Sequence, residues 1–264
     1  MGKIYFIGLG LFDEKDISLK GLEAVRSCER VFAEFYTAFL AGTSKEKLES
    51  LYGKNIKILS REEVETGNEI IESAKSCNVA FLTAGDAMTA TTHQEIRLRA
   101  FDLGIETEII HGASIVTSAS GLLGLQHYKF GKTTTIPFKQ KGYFPTSPYD
   151  AIRDNLKIGL HTLVLLDIQV SKDSARYLSA NEGLRYLLEI EESKKEGVAA
   201  KDRLVCVVSR AGSRMPLVKA GRLGEMIEED FGQPLHSIVV PGKLHFLEAE
   251  SLIKIAGAPK DVLE

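Results

Sequence analysis

Apolar residues recur along this chain in short runs separated by polar stretches, and the alternation is most regular through the first half. Residues 4–8 form a buried-strand run closed by glycine, and residues 31–35, 56–59, 79–82 and 105–110 repeat the pattern. Between them, Ser18 is placed to cap a helix whose Leu19, Leu22 and Val25 recur at helical spacing. Thr92-His93-Gln94-Glu95 has the spacing of a capping box ahead of Ile96, Ala100 and Leu103, with Gly104 as the stop. Strands alternating with helices, each connection long enough for a crossover, predict a five-stranded, mostly parallel sheet covered on both faces.

The pattern changes over residues 113–124, where Ser, Ala and Gly predominate and predict a closely packed helix at the join of two halves. Residues 137–149 carry three prolines and four aromatics and predict an irregular loop. Strand runs at 160–166, 204–209 and 237–240, with helices at 181–197 and 245–257, predict a mixed sheet in an α+β arrangement. The expected fold is therefore α/β with two α/β domains, residues 1–113 and 114–264, and a cofactor cleft between them.

Composition narrows the class. The 264 residues are 44% hydrophobic and 26% charged, which excludes wholesale disorder and leaves room for a sizeable core. The 33 basic residues are balanced by 36 acidic ones, a net charge of −3, which argues against a nucleic-acid partner held by a broad basic surface. Cys28, Cys77 and Cys206 are odd in number and share no short spacing, so neither a disulfide framework nor a zinc knuckle is expected. No run approaches the roughly 18 apolar residues of a membrane helix, and the first residues lack the charged start and cleavage site of a signal peptide. A cytoplasmic protein with no membrane partner is the expectation.

Three loops carry candidate chemistry. Gly8-Leu9-Gly10 follows the first strand, where a dinucleotide fingerprint would begin, but Asp13 stands in place of the third glycine. Glu34 stands where a ribose-binding acid would, and a plain tight turn accounts for the glycines equally well. Thr83-Ala84-Gly85-Asp86-Ala87-Met88-Thr89 follows a buried strand, at the edge where open α/β sheets bind ligands. A glycine there lets backbone approach a ligand while the carboxylate meets a hydroxyl or a positive group; a simple Gly-Asp turn is the alternative. His111-Gly112-Ala113-Ser114-Ile115 repeats the arrangement, with Ser114 able to cap a helix or to touch a ligand. The six histidines lack metal-ligand spacing and no metal is expected. His236, beside Pro234 at the start of a strand, is placed to meet a ligand through its backbone, with a surface or core role as the default alternative for each histidine.

Taken in order, several blocks resemble the diphthine synthase family over nearly the whole chain. They include Tyr5-Phe6-Ile7-Gly8-Leu9-Gly10-Leu11, Val31-Phe32-Ala33-Glu34-Phe35-Tyr36-Thr37, Phe81-Leu82-Thr83-Ala84-Gly85-Asp86 and Ala90-Thr91-Thr92-His93. Tyr128-Lys129-Phe130-Gly131-Lys132, Phe144-Pro145-Thr146-Ser147 and Gly159-Leu160-His161-Thr162-Leu163 continue the series, as do Ser209-Arg210-Ala211-Gly212-Ser213 and Val240-Pro241-Gly242-Lys243-Leu244-His245.

The resemblance implies the tetrapyrrole-methylase fold and a homodimer. It implies an S-adenosyl-L-methionine-dependent N-methyltransferase that releases S-adenosyl-L-homocysteine. Its protein substrate would be translation elongation factor 2, methylated on the amino group of its 3-amino-3-carboxypropyl-histidine, up to the trimethylammonium of diphthine, in diphthamide biosynthesis. Carried over by position, the cofactor residues are Leu11, Asp86, Thr89, Ser114, Ile115, Leu166, Ala211 and His236. Relatives usually carry prolines where Ala84 and Ala87 stand, which leaves this loop less constrained. No catalytic base is nominated, because an apolar site lowers an amine's pKa by itself. A tetrapyrrole methylase, a nicotinamide-dependent oxidoreductase and a non-catalytic elongation-factor-binding module are the competing readings.

Overall fold

The computed structural model describes residues 2–170 and 175–263. The chain divides into two compact units, Met1–Ile115 and Val116–Glu264.

The first unit runs β1 (Lys3–Gly8), α1 (Leu19–Ser27), β2 (Arg30–Glu34), α2 (Lys45–Tyr52), β3 (Lys57–Ile58), α3 (Arg61–Thr66), α4 (Asn68–Ala74), β4 (Val79–Thr83), α5 (Gln94–Asp102) and β5 (Glu106–Ile110). Its five strands lie in the order β3-β2-β4-β1-β5, every pair parallel. Side chains alternate across such a sheet. Ile7, Val31, Ala33, Ala80 and Leu82 pack with Val25 of α1 and with Leu48 and Tyr52 of α2. Ile4, Phe6, Phe32, Val79 and Phe81 pack with Val64, Ile70, Ile71, Ile96 and Ala100 of α3, α4 and α5. The helix leaving β1 and the helix leaving its neighbour β4 therefore cover opposite faces. A crevice opens outside the carboxyl ends of two such strands, the switch point where doubly wound sheets take ligands.

Ser18 caps α1 as its spacing predicts, its hydroxyl accepting the Gly21 N–H at 3.0 Å. The capping box expected at Thr92 does not form. His93 occupies the cap position of α5 without a side-chain bond to the helix, and its ring packs edge-on against Phe81 at 4.8 Å between centroids. Burial of the aromatic ring prevails over local capping here.

The helix α6 (Ile115–Leu123) leads into the second unit, which continues with β6 (Thr134–Ile136), α7 (Ser147–Lys157), β7 (Thr162–Leu166), β8 (Ile168–Val170), β9 (Ala175–Tyr177), α8 (Ala180–Lys194), β10 (Leu204–Ser209), β11 (Leu217–Arg222), α9 (Leu223–Met226), β12 (His236–Val240) and α10 (Phe246–Ala256). The sheet order is β11-β10-β12-β7-β6, antiparallel except for the β6–β7 pair, and β8 and β9 form a separate hairpin. Its core gathers Ile136, Val164, Val205, Val207 and Ile238 of the sheet with Ile152 of α7 and with Leu184, Leu187 and Ile190 of α8. The loop expected over 137–149 ends early, because Pro148 sits in the first turn of α7, where its missing N–H costs nothing, and Tyr149 is buried. Capping boxes close the starts of α8 (Ser179 with Glu182) and α10 (His245 with Glu248). Among the described residues no helix is long and apolar enough to cross a membrane.

Candidate functional site

The switch point is floored by glycine. A Cβ on Gly8 would lie 2.6 Å from both the Gly85 carbonyl oxygen and the Gly112 nitrogen, so the backbones following β1, β4 and β5 touch at a distance no side chain permits. Gly85 N–H donates to the Gly10 carbonyl at 2.6 Å, and Gly10 N–H returns a bond to Gly85 at 3.2 Å. Gly85 itself has φ +77° and faces open space, with nothing within 4 Å of where a Cβ would stand. Backbone is thus bared toward the crevice, as a close-lying ligand requires.

Asp86 ties these loops together. Its Oδ1 accepts the Met88 N–H at 3.0 Å and the Thr89 hydroxyl at 3.1 Å. Its Oδ2 accepts from His111 Nδ1 at 2.7 Å and from the Gly112 N–H at 3.3 Å. The residue is 8% exposed. Burial opposes its ionisation, but the Met88, His111 and Thr89 bonds outweigh that and hold the carboxyl below its usual range. Its carboxylate is therefore committed to the protein, and the loop it shapes offers backbone to a ligand. Without proline at Ala84 or Ala87, order comes from Asp86 and from His93, whose Nδ1 donates to the Ala87 carbonyl at 3.0 Å.

Leu11 lies in the β1 loop, half-buried, its N–H donated to Asp16 Oδ2 at 3.1 Å, and Phe12 N–H joins the same oxygen at 2.7 Å. Asp16 went unremarked in the sequence. A carboxylate a few residues beyond a glycine turn, able to gather its amides, was the available signal. Ser114 and Ile115 follow the Gly112 contact, and Ile115 opens α6.

Glu34, the competing ribose ligand, is buried. Its carboxylate accepts the Tyr36 and Thr37 N–H groups, each at 3.1 Å, and the Thr37 hydroxyl. Burial pushes its pKa up and pushes that of His93, 3.6 Å away, down. Glu34 therefore offers nothing to a ribose, and the nicotinamide reading loses its acid.

In the second unit, Leu166, Ala211 and His236 share one edge of the mixed sheet. Ser209 pairs with His236, Ala211 lies two residues past Ser209, and the β7–β12 register carried forward sets Leu166 opposite His236. The His236 ring is buried and committed, Nδ1 accepting the Ala180 N–H at 3.2 Å and Nε2 donating to the Gln233 carbonyl at 3.2 Å. Only its backbone is left for a ligand, as its position beside Pro234 suggests. A groove of about 870 Å³ lies away from these edges, at the amino end of β2, where Lys57 pairs with Glu69 and Lys45 with Glu49. Among the described residues no cluster suits a metal ion.

A parallel sheet with glycine-floored loops at its switch point, followed by a mixed-sheet unit, is the architecture of the tetrapyrrole (corrin/porphyrin) methylases, whose family model matches residues 3–227. Over 261 residues the chain is 52% identical to diphthine synthase of Methanothermobacter thermautotrophicus, covering 99% of this chain and 98% of the relative. It is 54% identical over 265 residues to diphthine synthase of Methanosarcina mazei, covering 98% of each. A crystal structure of diphthine synthase matches with a TM-score of 0.90 at 39% identity, over 99% of each chain. The chain belongs to the tetrapyrrole methylases and, within them, to the diphthine synthase family; it is a methyltransferase.

Proposed function

We propose that this protein methylates, with S-adenosyl-L-methionine as donor, the amino group of the 3-amino-3-carboxypropyl-histidine of translation elongation factor 2, in diphthamide biosynthesis. The observation that carries the reading is likeness to diphthine synthases across essentially the whole chain, joined to a glycine-floored crevice at the switch point. Leu11, Asp86, Thr89, Ser114 and Ile115 of the first unit would hold the donor. The bared backbone at Gly85 and the engaged side chains of Asp86 and Thr89 fit a ligand gripped mainly by main-chain groups. When bound, the donor supplies a methyl carbon already activated by its sulfonium. The protein's task is then alignment of amine and carbon, which can be worth roughly 7–11 kcal/mol of barrier. A homodimer in the cytoplasm completes the proposal.

The test is mass spectrometry of elongation factor 2 bearing the unmethylated modified histidine, incubated with the protein and S-adenosyl-L-methionine. Stepwise methyl increments on that histidine are expected. No increment on it, with methylation of a tetrapyrrole instead, would overturn the substrate.

A further inference from the structure

We propose that His111 is the base that removes the proton from the substrate amine before each methyl transfer. The proposal rests on the functional reading above and assigns a role to a residue outside the cofactor set.

The argument starts from the ring's surroundings. His111 directly follows β5, at the same sheet edge as the Gly85–Asp86 loop. Its Nδ1 lies 2.7 Å from Asp86 Oδ2, and Asp86 is pinned as a carboxylate by Met88, Thr89 and Gly112. A carboxylate only accepts, so Nδ1 carries a proton, and in the neutral ring Nε2 is left with its lone pair. The side chain is 76% exposed, so that nitrogen is open to an incoming group. An imidazole oriented by a buried carboxylate, with its other nitrogen free, is the arrangement of a general base.

Four other histidines are built differently. His161 accepts the Gly242 N–H on Nδ1 at 2.9 Å and donates from Nε2 to Glu248 at 3.0 Å, fully buried. His236 has both nitrogens taken, His93 is buried, and His245 spends its Nδ1 capping α10. Charged groups on the elements around His111 are also engaged: Glu108 of β5 by Lys3 and Lys20, Arg97 of α5 by the Thr107 hydroxyl, and Asp16 by the amides of Leu11 and Phe12. Among the described residues, Asp86 is the charged group paired with the ring.

The chemistry balances. An amine arriving near pH 7 is mostly ammonium, with no lone pair to give. Its N–H bond breaks, the electron pair stays on nitrogen, and the proton moves to His111 Nε2. The resulting imidazolium is stabilised by Asp86 and passes the proton to water. The freed pair forms the N–C bond while the electrons of the carbon–sulfur bond remain on sulfur. Each methylated nitrogen is cationic again and must lose another proton before the next transfer, until the quaternary product has none left.

A purely structural His111, serving only to hold Asp86, is separated from this by His111→Asn, which keeps an N–H at the position of Nδ1 but has no basic nitrogen. Single-turnover methyl transfer by His111→Asn should fall about 100-fold near neutral pH, within the usual range for general-base loss, and the deficit should narrow as alkaline pH deprotonates the amine unaided. Donor affinity measured by calorimetry should be retained. Nitrogen NMR of the wild-type ring, which needs no turnover, should show the Nδ1–H tautomer; the Nε2–H tautomer would overturn the proposal. A His111→Asn rate and pH profile matching wild type would overturn the base alone. Wild-type protein that leaves the histidine-borne amine unmethylated would overturn the functional reading itself.

Discussion

Each of the two sheets presents a histidine among the candidate residues at its edge, and the two rings are wired in opposite senses. At the parallel sheet, His111 gives its Nδ1 proton to a buried carboxylate and turns Nε2 to solvent. At the mixed sheet, His236 accepts on Nδ1 from the first amide of α8 and donates from Nε2 to a carbonyl, leaving no nitrogen for chemistry. The difference follows from topology. Parallel strands bring every carboxyl end to one edge, where helices leave for opposite faces and loops remain open. The antiparallel strands of β10 and β12 interleave beginnings with ends, so polar side chains there are drawn into closing the chain on itself. Glu248 extends this to the second unit's interior, accepting from the Gln126 and His245 amides, Lys129 and His161.

That contrast can be broken deliberately. Glu248→Ala should cause the largest loss of stability, about 3–5 kcal/mol by denaturant unfolding, because it leaves half-buried Lys129 without its counter-charge and buried His161 without its hydrogen-bond acceptor. A loss below about 1 kcal/mol would mean the network is incidental. Asp86→Ala should cost less stability, about 2–4 kcal/mol, through its unpaired loop amides and the released His111. It should also weaken S-adenosyl-L-methionine about 100-fold by calorimetry, close to 2.7 kcal/mol; unchanged affinity would remove Asp86 from the cofactor site.

Glycines sharpen the picture next. Gly8→Ala places a Cβ 2.6 Å from backbone on both sides and should destabilise by about 1–3 kcal/mol. Gly85→Ala meets nothing and should cost about 1 kcal/mol for its positive φ, so its larger effect should appear in donor affinity. Acid sharpens the contrast too. Burial lowers the pKa of His161 and His236 below the ordinary 6.5, so the unfolded chain binds their protons more readily, and stability should begin to fall as pH drops below that value. The Glu248 carboxyl, though buried, is pulled by its donors from 4.5 to about 2, so its contribution is full above pH 4.5 and is lost as pH falls toward 2. The smallest effect belongs to the exposed Lys254–Glu250 pair, where Lys254→Ala should change stability by less than about 0.5 kcal/mol.

Much of the parallel sheet was legible because β1, β2 and β4 are apolar runs, fully buried in β4. What the pattern did not reveal was mixed in composition: β11 carries Lys219, Gly221 and Arg222, and α2 buries only Leu48 and Tyr52. Such elements are held by neighbours more than by their own pattern. The Gly-Asp and His-Gly loops were visible as strand-end turns. Their joining was not, since residues 86 and 111 meet only once β4 and β5 flank β1 in one sheet. Nor could spacing show that Asp86 spends its carboxylate on the protein, or that Glu34 turns inward onto Thr37.

The most direct test of the central claim, that methyl transfer is organised at the carboxyl edge of the parallel sheet, is a crystal structure with S-adenosyl-L-homocysteine. Density against the loops following β1, β4 and β5, contacting main chain at Gly85–Thr89 and Ser114–Ile115, is the predicted result. Density elsewhere, as in the groove at the amino end of β2, with those loops untouched, would contradict it.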